Sequence, residues 1–169
     1  VGDTCRPEWY ENLEIFSDEA RKAGKPFWAF ALATAHEPYP IPDLAQLRLQ
    51  VYSDLAYGAQ GIQYFTYWTP EKNPTWDFHH APVERSSGRR TDVYDKIKQM
   101  NAEIRALSGV FLGCEVVSVR HTGESIPRGT VRLTELPDGV KKLETTGAGA
   151  VVSELRNGNN RFIVIVNRD

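Results

Sequence analysis

The feature that most constrains the fold is the alternation of helical and strand-length patterns from the start of the chain to about residue 107. Apolar residues recur at helical spacing in residues 7–23, 44–55 and 91–107. Two short runs rich in apolar and aromatic residues alternate with these helical segments. Residues 27–35 lie between the first and second segments, and residues 62–68 follow the second. Strands that alternate with helices predict parallel pairing with right-handed crossovers. The chain is therefore expected to begin as an α/β fold.

The two runs differ in what they predict. Residues 27–35 are apolar on both faces, which is typical of a parallel strand that is buried on both sides. The second run begins after Gly61, is stopped by Thr69-Pro70, and has Tyr67 and Trp68 at its end. Ligands of βα folds bind where the strands end, because the loops converge there. The end of the second strand is therefore a candidate binding rim.

The pattern changes to short β segments after Gly109. Five segments are predicted, at 114–119, 129–136, 140–145, 150–155 and 162–166. Residues 157–160 predict a hairpin loop between the last two. The predicted domains are residues 1–109, the C-terminal βα units of a TIM-type barrel, and residues 110–169, an incomplete antiparallel β-sandwich-like domain.

The number of predicted strands is small for a barrel. The first part supplies two strands and a candidate third at 78–83. A complete (β/α)8 barrel takes roughly 250 residues, so we expect a partial barrel, made of its late βα units, in a truncated chain. Barrel strands from the rest of the protein are then an expected partner.

Composition excludes several classes of function. The chain has 169 residues and a net charge of −2, which does not favour a nucleic-acid partner. No apolar run approaches the roughly 20 residues of a membrane span. No glycine-rich phosphate loop follows either strand, so nucleotide binding is disfavoured. Cys5 and Cys114 lack partners at metal-ligand spacing, so we expect no metal and two reduced thiols, with a single disulfide as the alternative.

Three stretches of the first part resemble a known family. Residues 25–30, 49–61 and 64–68 are similar to the last third of a glycoside hydrolase barrel, in the β-galactosidase-like branch of the clan A (β/α)8 enzymes with a trailing β-sandwich. Residues 81–83, followed by residues 88–91 and Tyr94, are similar to the connection between the last barrel strand and its helix. The resemblance covers residues 7–112. It implies a retaining glycoside hydrolase acting on O-glycosidic bonds of poly- or oligosaccharides, without a cofactor, in a secreted or periplasmic protein.

The resemblance also indicates where catalytic groups are expected. Retaining glycosidases use an acid/base carboxylate and a nucleophilic carboxylate about 5 Å apart. The acid/base would come from an earlier strand outside this chain, and the nucleophile from the end of the strand at 27–35. That end, Ala33-Thr34-Ala35, has no carboxylate, and the candidate catalytic residue is Glu37 in the following loop. Alternatively, Glu37 is a solvated loop residue and the protein is a non-catalytic carbohydrate-binding or scaffold protein on a degenerate barrel.

Candidate substrate-binding residues surround the same strand ends. Aromatic rings stack on the C–H faces of sugars, and imidazoles hydrogen-bond sugar hydroxyls. The candidates are His36, Tyr67, Trp68, Trp76 and His80. Because side chains alternate along a strand, at most one of Tyr67 and Trp68 is expected to point inward. The alternative for the aromatic residues is packing within the fold, and for His36 the anchoring of its loop. Asp77 is expected to make a local hydrogen bond.

Overall fold

The computed structural model describes residue 6 and residues 8–169. Its elements are, in order, α1 (Trp9–Ala23), β1 (Trp28–Leu32), α2 (Leu44–Ala56), β2 (Gly61–Phe65), α3 (Asp92–Ala106), α4 (Ser108–Phe111), β3 (Glu115–His121), β4 (Ala150–Asn157) and β5 (Asn160–Asn167). The chain divides into two compact units, residues 1–28, 52–61 and 109–169, and residues 29–51 and 62–108. The predicted boundary at residue 109 stays a prediction.

The mixed α/β class is confirmed. One sheet has two parallel strands, β1 and β2, and the other has three antiparallel strands in the order β3-β4-β5. The described residues form no closed barrel, so the partial TIM-type barrel remains a prediction.

The three predicted helices all form, but the buried face of α1 differs from the prediction. Gly24 ends α1 in the left-handed conformation, with φ 61°, where a glycine is the least strained residue. Pro7, which was predicted to open this helix, lies outside the described residues. Phe16, which was predicted in the buried stripe, is 61% exposed, whereas Tyr10 is buried. The stripe is therefore shifted by one residue at its start, because the large apolar side chains of α1 outnumber its buried positions.

The second unit contains most of the parallel sheet. Within it the Ala33 N–H donates to the Phe65 carbonyl at 2.6 Å, one residue beyond the end of β1. The pairing then continues through a side chain, because the Thr66 N–H donates to the Thr34 hydroxyl at 2.8 Å. In this way the ends of the two strands are fixed side by side.

The prediction that β1 is buried on both faces is wrong. Ala29 and Ala31 are buried, whereas Trp28 and Phe30 are 63% and 61% exposed. The strand therefore alternates like one with a single covered face. The reason is that only small alanine side chains occupy the covered face, and both large rings lie on the other.

The candidate third strand at 78–83 does not form as a strand. Val83 instead makes an isolated parallel bridge with Trp68, and His79 makes an isolated antiparallel bridge with Ala35. The Val83 N–H donates to the Tyr67 carbonyl at 3.0 Å, and the Val83 carbonyl accepts from the Thr69 N–H at 3.0 Å. Pro82 has no N–H to donate, so longer regular pairing is interrupted there.

Helix α3 begins after Thr91, as predicted, but the threonine hydroxyl does not cap it. The hydroxyl donates to the Ala81 carbonyl at 2.8 Å and so fixes the preceding loop. Asn101, a polar residue in the predicted buried stripe, is exposed and accepts a hydrogen bond from the Tyr64 hydroxyl at 3.1 Å. The side chain of Tyr64 therefore faces α3.

The first unit contains the antiparallel sheet, in which three of the five predicted β segments form. Residues 129–136 and 140–145 do not form strands, although Arg132 makes an isolated bridge with His121. Both segments are mostly exposed and are bounded by glycine and proline turns, so their alternating residues have no sheet face to cover. The predicted hairpin loop is confirmed, since Gly158 and Asn159 connect β4 to β5.

Strand β4 is the buried centre of the first unit. Its residues Ala150, Val151, Val152, Ser153 and Leu155 are all buried. The Ser153 hydroxyl donates to the Ala56 carbonyl at 2.7 Å, so even the polar residue of this strand has a partner. Cys114 carries a free thiol, and Cys5 lies outside the described residues.

Asp54, near the end of α2, is the least satisfied buried group in the described part of the first unit. It is fully buried, and neither carboxylate oxygen has a hydrogen-bond partner. Burial therefore raises the pKa of Asp54 well above its ordinary value. The folded protein keeps a proton on this group at pH values where the unfolded chain has lost it.

Asp54→Asn is therefore expected to increase stability at neutral pH. The unfolded carboxyl ionises above about pH 4, so the folded wild type loses up to about 1.4 kcal/mol of stability per pH unit from there until the folded group also ionises. Asparagine has nearly the same shape and does not titrate. Urea unfolding of both proteins between pH 4 and 8 should show a difference that grows with pH.

The control is Asp95→Asn, which removes an exposed carboxylate from α3. Its effect on the free energy of unfolding should stay small and nearly constant over the same range. Equal stabilities of wild type and the Asp54 variant at every pH would contradict the buried, protonated state of this group.

Candidate functional site

The candidate site lies in the second unit, at the ends of the two parallel strands. The residues after β1 turn sharply, because the His36 N–H donates to the Tyr39 carbonyl at 3.0 Å and the Tyr39 N–H returns a bond to His36. On the other side, the N–H groups of Ala35 and His79 each donate to the other's carbonyl, at 3.0 and 2.9 Å. The loop at 66–81 is thereby held against the end of β1.

His36 is buried at the centre of an aromatic cluster. Its ring centroid lies 5.1 Å from that of Tyr39, 5.5 Å from that of Trp76 and 4.9 Å from that of Phe78. The imidazole Nδ1 lies 3.3 Å from the Thr34 carbonyl. The buried histidine therefore packs against all three of these rings.

Trp76 and Phe78 form the outer layer of this cluster. Their rings are stacked, with an interplanar angle of 27° and centroids 6.1 Å apart. Trp76 remains 40% exposed, although it packs on both Phe78 and His36. An exposed ring that is held in one orientation presents a flat face at a small entropic cost of binding. We call His36, Tyr39, Trp76 and Phe78 the aromatic platform.

Glu37 is beside the platform and exposed to solvent. Its backbone N–H donates to Asp77 Oδ1 at 2.8 Å, which joins the two loops that carry the platform. This bond, to the backbone of Glu37, is the main reason that the pKa of Asp77 is lowered. The main hydrogen bond of Asp77 therefore reaches a residue 40 positions earlier in the sequence, unlike the local bond that was predicted, and it fixes the backbone of Glu37.

The remaining predicted site residues are near the platform but outside it. Tyr67 and Trp68 are 62% and 42% exposed, and the backbone of both is fixed by the bridge to Val83. His80 is exposed, and its Nδ1 lies 2.8 Å from Nδ1 of His79. The structure thus brings His36 and Trp76 together and leaves the side chains of Tyr67, Trp68 and His80 pointing to solvent.

Sequence reasoning missed the contributions of Tyr39 and Phe65 to this region. Tyr39 packs on His36, and the Phe65 ring lies 6.0 Å from that of Phe78. The signal for Tyr39 was its place between Pro38 and Pro40, where a tight turn returns its ring to a residue three positions earlier. Phe65 had no comparable signal, because its contact depends on where the loop at 66–81 folds.

A second cluster of ionisable groups lies in the first unit, and the sequence did not indicate it. The Tyr57 hydroxyl donates to Glu14 at 2.8 Å and lies 2.8 Å from His121 Nε2. Burial raises the pKa of Glu14 and Tyr57 and lowers the pKa of His121 to about 3. Burial therefore favours the uncharged form of each of the three groups.

The chemistry of this second cluster is limited by its burial. Glu14 and Tyr57 line a cleft of about 820 Å³ between α1 and β3, whereas His121 is completely enclosed. His121 Nδ1 has no partner among the described residues. The Tyr57 hydroxyl has one hydrogen, and it donates this hydrogen to Glu14. We therefore assign the cluster to the packing of α1 on the sheet.

No metal site is visible in residue 6 and residues 8–169. No group of three or more histidine, cysteine, aspartate or glutamate side chains in this part of the chain is arranged to hold an ion. The described chain also contains no helix long and apolar enough to span a membrane.

Asp77→Ala is expected to release the backbone of Glu37. Loss of this charge-assisted hydrogen bond should accelerate exchange of the Glu37 amide hydrogen by up to about tenfold, because the amide no longer has to break a bond before it exchanges. Amide exchange followed by NMR measures this directly. Asp77→Asn keeps an acceptor oxygen and should show a smaller acceleration. An unchanged Glu37 rate in the alanine variant would exclude this role of Asp77.

Comparison with known proteins does not assign the chain to a family. No protein-family model matches it. A search of curated proteins also found no similar protein. The function is therefore argued from the geometry of the two strand ends.

Proposed function

We propose that this chain belongs to a carbohydrate-active protein and that its sugar-binding surface is the aromatic platform with the neighbouring Tyr67 and Trp68. The observation that carries the proposal is Trp76, an exposed indole that is fixed by stacking on Phe78 and by the edge of His36. Exposed aromatic rings with fixed orientation suit the apolar C–H face of a pyranose.

Polar groups that suit sugar hydroxyls surround these rings. The Glu37 carboxylate is exposed, and the Asp77 carboxylate accepts a hydrogen bond from the backbone N–H of Glu37. His79 and His80 add imidazole nitrogens on the same loop. A few polar groups around an aromatic surface are the usual composition of a site that orients a polyhydroxylated ligand.

The finer proposal for the fold is a set of late βα units of a TIM-type barrel. It is supported by the parallel pairing of β1 with β2 and by the parallel bridge of Trp68 with Val83. Together they give three adjacent chain segments that run in the same direction. In such a barrel the platform is at the C-terminal ends of the strands, where active sites form.

The finer proposal for the activity is retaining hydrolysis of O-glycosidic bonds in poly- or oligosaccharides. Glu37 would act as the nucleophile, since it is on the loop that follows β1 and its backbone is fixed by Asp77. The acid/base carboxylate would have to approach within about 5 Å of it. Neither the sugar nor the linkage follows from these residues.

A second candidate function is sugar binding without catalysis. It is favoured by the end of β1, where Ala33, Thr34 and Ala35 are buried and carry no carboxylate. Glu37 itself is on the exposed loop beyond them. A binding protein would use the platform alone and would not need Glu37.

Trp76→Ala is expected to weaken sugar binding under either proposal. Removing one stacking ring should weaken binding by about twofold to tenfold, because aromatic stacking contributes roughly 0.5–1.5 kcal/mol beyond the area it buries. Binding can be measured by calorimetry with oligosaccharides first identified on a glycan array. Phe16→Ala, which removes an exposed ring from α1, is the control and should bind normally. Equal affinity of the Trp76 variant and the wild type would refute the platform.

Glu37→Gln separates the two candidate functions. If Glu37 is a catalytic residue, kcat on nitrophenyl glycosides should fall by about 10²–10⁴-fold while KM changes little. Glu124→Gln, on an exposed loop of the other unit, should keep full activity. The assay uses the complete protein, which must supply the acid/base carboxylate. If its wild type binds sugar but hydrolyses no nitrophenyl glycoside, and Glu37→Gln leaves binding unchanged, the non-catalytic function is supported.

A further inference from the structure

A groove of about 560 Å³ adjoins the aromatic platform in the second unit. Its walls are residues 69–72 after β2, residues 78–80 of the platform loop, and residues 84–86. Phe78 belongs to both features, because its ring stacks on Trp76 and also lines the groove. The groove therefore begins one side chain away from Trp76.

The two carboxylates of the groove are already paired with arginines. Glu71 accepts from Arg85 at 2.6 Å, and Glu84 accepts from Arg89 at 3.0 Å and from the Ser87 hydroxyl at 2.8 Å. The bonds from Arg89 and Ser87 are the main reason that the pKa of Glu84 is lowered. Each of these acids faces the guanidinium of an arginine, so neither leaves an unpaired negative charge in the wall.

Lys72 is the cation of the groove without such a partner. It makes no ion pair with any residue of the described chain, and its side chain is exposed. Asp77, which is outside the groove lining, has its carboxylate engaged by the Glu37 N–H, and the charge of Lys72 is only a minor influence on the pKa of Asp77. The positive charge of Lys72 is therefore available to a ligand.

The paired histidines complete the wall with one donor and one acceptor. Nδ1 of His79 and Nδ1 of His80 are 2.8 Å apart, so one of them donates its hydrogen to the other. In the neutral pair the donating ring then has a bare Nε2, and the accepting ring carries hydrogen on Nε2. Such a pair can bind one hydroxyl as donor and another group as acceptor.

We propose that this groove is a subsite for an acidic sugar, in which Lys72 pairs with the carboxylate of a uronate residue while its neighbour in the chain stacks on Trp76. This inference rests on the proposed sugar-binding function of the platform. A single unpaired ammonium beside two carboxylates that are paired with arginines matches a ligand that places one carboxylate in the groove. The shared Phe78 ring places the charged residue next to the stacked one, which a free anion would not require.

The test compares matched ligands that differ only in their charge. The probes are pairs of trisaccharides of the same linkage, with either a hydroxymethyl group or a carboxylate at C5 of each ring, titrated calorimetrically at low and high NaCl. The wild type should bind the acidic member about fivefold to tenfold more tightly at low salt, the range of one solvent-exposed charge-assisted bond. Lys72→Met should remove this preference and leave the neutral affinity unchanged.

Two controls make the outcomes distinct. Lys98→Met removes an exposed lysine from α3 and should retain the preference, whereas Trp76→Ala should weaken both ligands. Neutral and acidic trisaccharides that bind equally, or a preference that survives Lys72→Met, would overturn the acidic subsite while leaving the sugar platform intact. Failure of every trisaccharide to bind would overturn both proposals.

Discussion

The pairing of the two parallel strand ends is the constraint on which the candidate site depends. Regular pairing would stop near Leu32, but the Thr34 hydroxyl accepts from the Thr66 N–H and so extends it by a side chain. Beyond this point Ala35 pairs with His79, and Val83 bridges to Trp68. Each of these contacts uses backbone groups that would otherwise need water. These contacts do not depend on the identity of the exposed aromatic side chains, so those side chains can vary to suit a ligand.

The first unit differs in that it buries several polar groups. Tyr57 links Glu14 of α1 to His121 of β3, and Arg168 donates to the Thr122 and Ser125 carbonyls while it is almost completely buried. These contacts satisfy polar atoms that packing has removed from water. Not every buried polar atom has a partner, as Asp54 shows. The incompletely bonded groups Asp54 and His121 change the free energy of unfolding with pH in opposite directions. A protonated Asp54 favours low pH, whereas a neutral His121 favours pH values above its unfolded pKa of about 6.5.

The sequence predicted the elements of this fold better than their surroundings. Helical spacing located α1, α2 and α3, Gly24 located a helix end, and the period of two located β3, β4 and β5, because these signals are local. The same period at 129–136 was misleading, since alternation indicates a strand only where a sheet is present to pair with it. The prediction that Phe16 is buried was wrong for a similar reason. A helical stripe shows which residues can share a face, but the packing partner decides which face is covered. His36 and Trp76 were identified from residue type and position, whereas their contact with each other depends on long-range pairing that no local pattern contains.

The small residues at the end of β1 connect the two candidate functions. Ala35 is completely buried where it pairs with the backbone of His79, and this pairing brings Trp76 and Phe78 over His36. A carboxylate at Ala35 would have to be buried against that backbone, at an energetic cost that an unpaired charge cannot recover. The platform and a strand-end carboxylate are therefore mutually exclusive in this geometry. Any catalytic carboxylate on this side of the site must come from the loop, and Glu37, fixed through its N–H by Asp77, occupies the first exposed position that the aromatic platform leaves open.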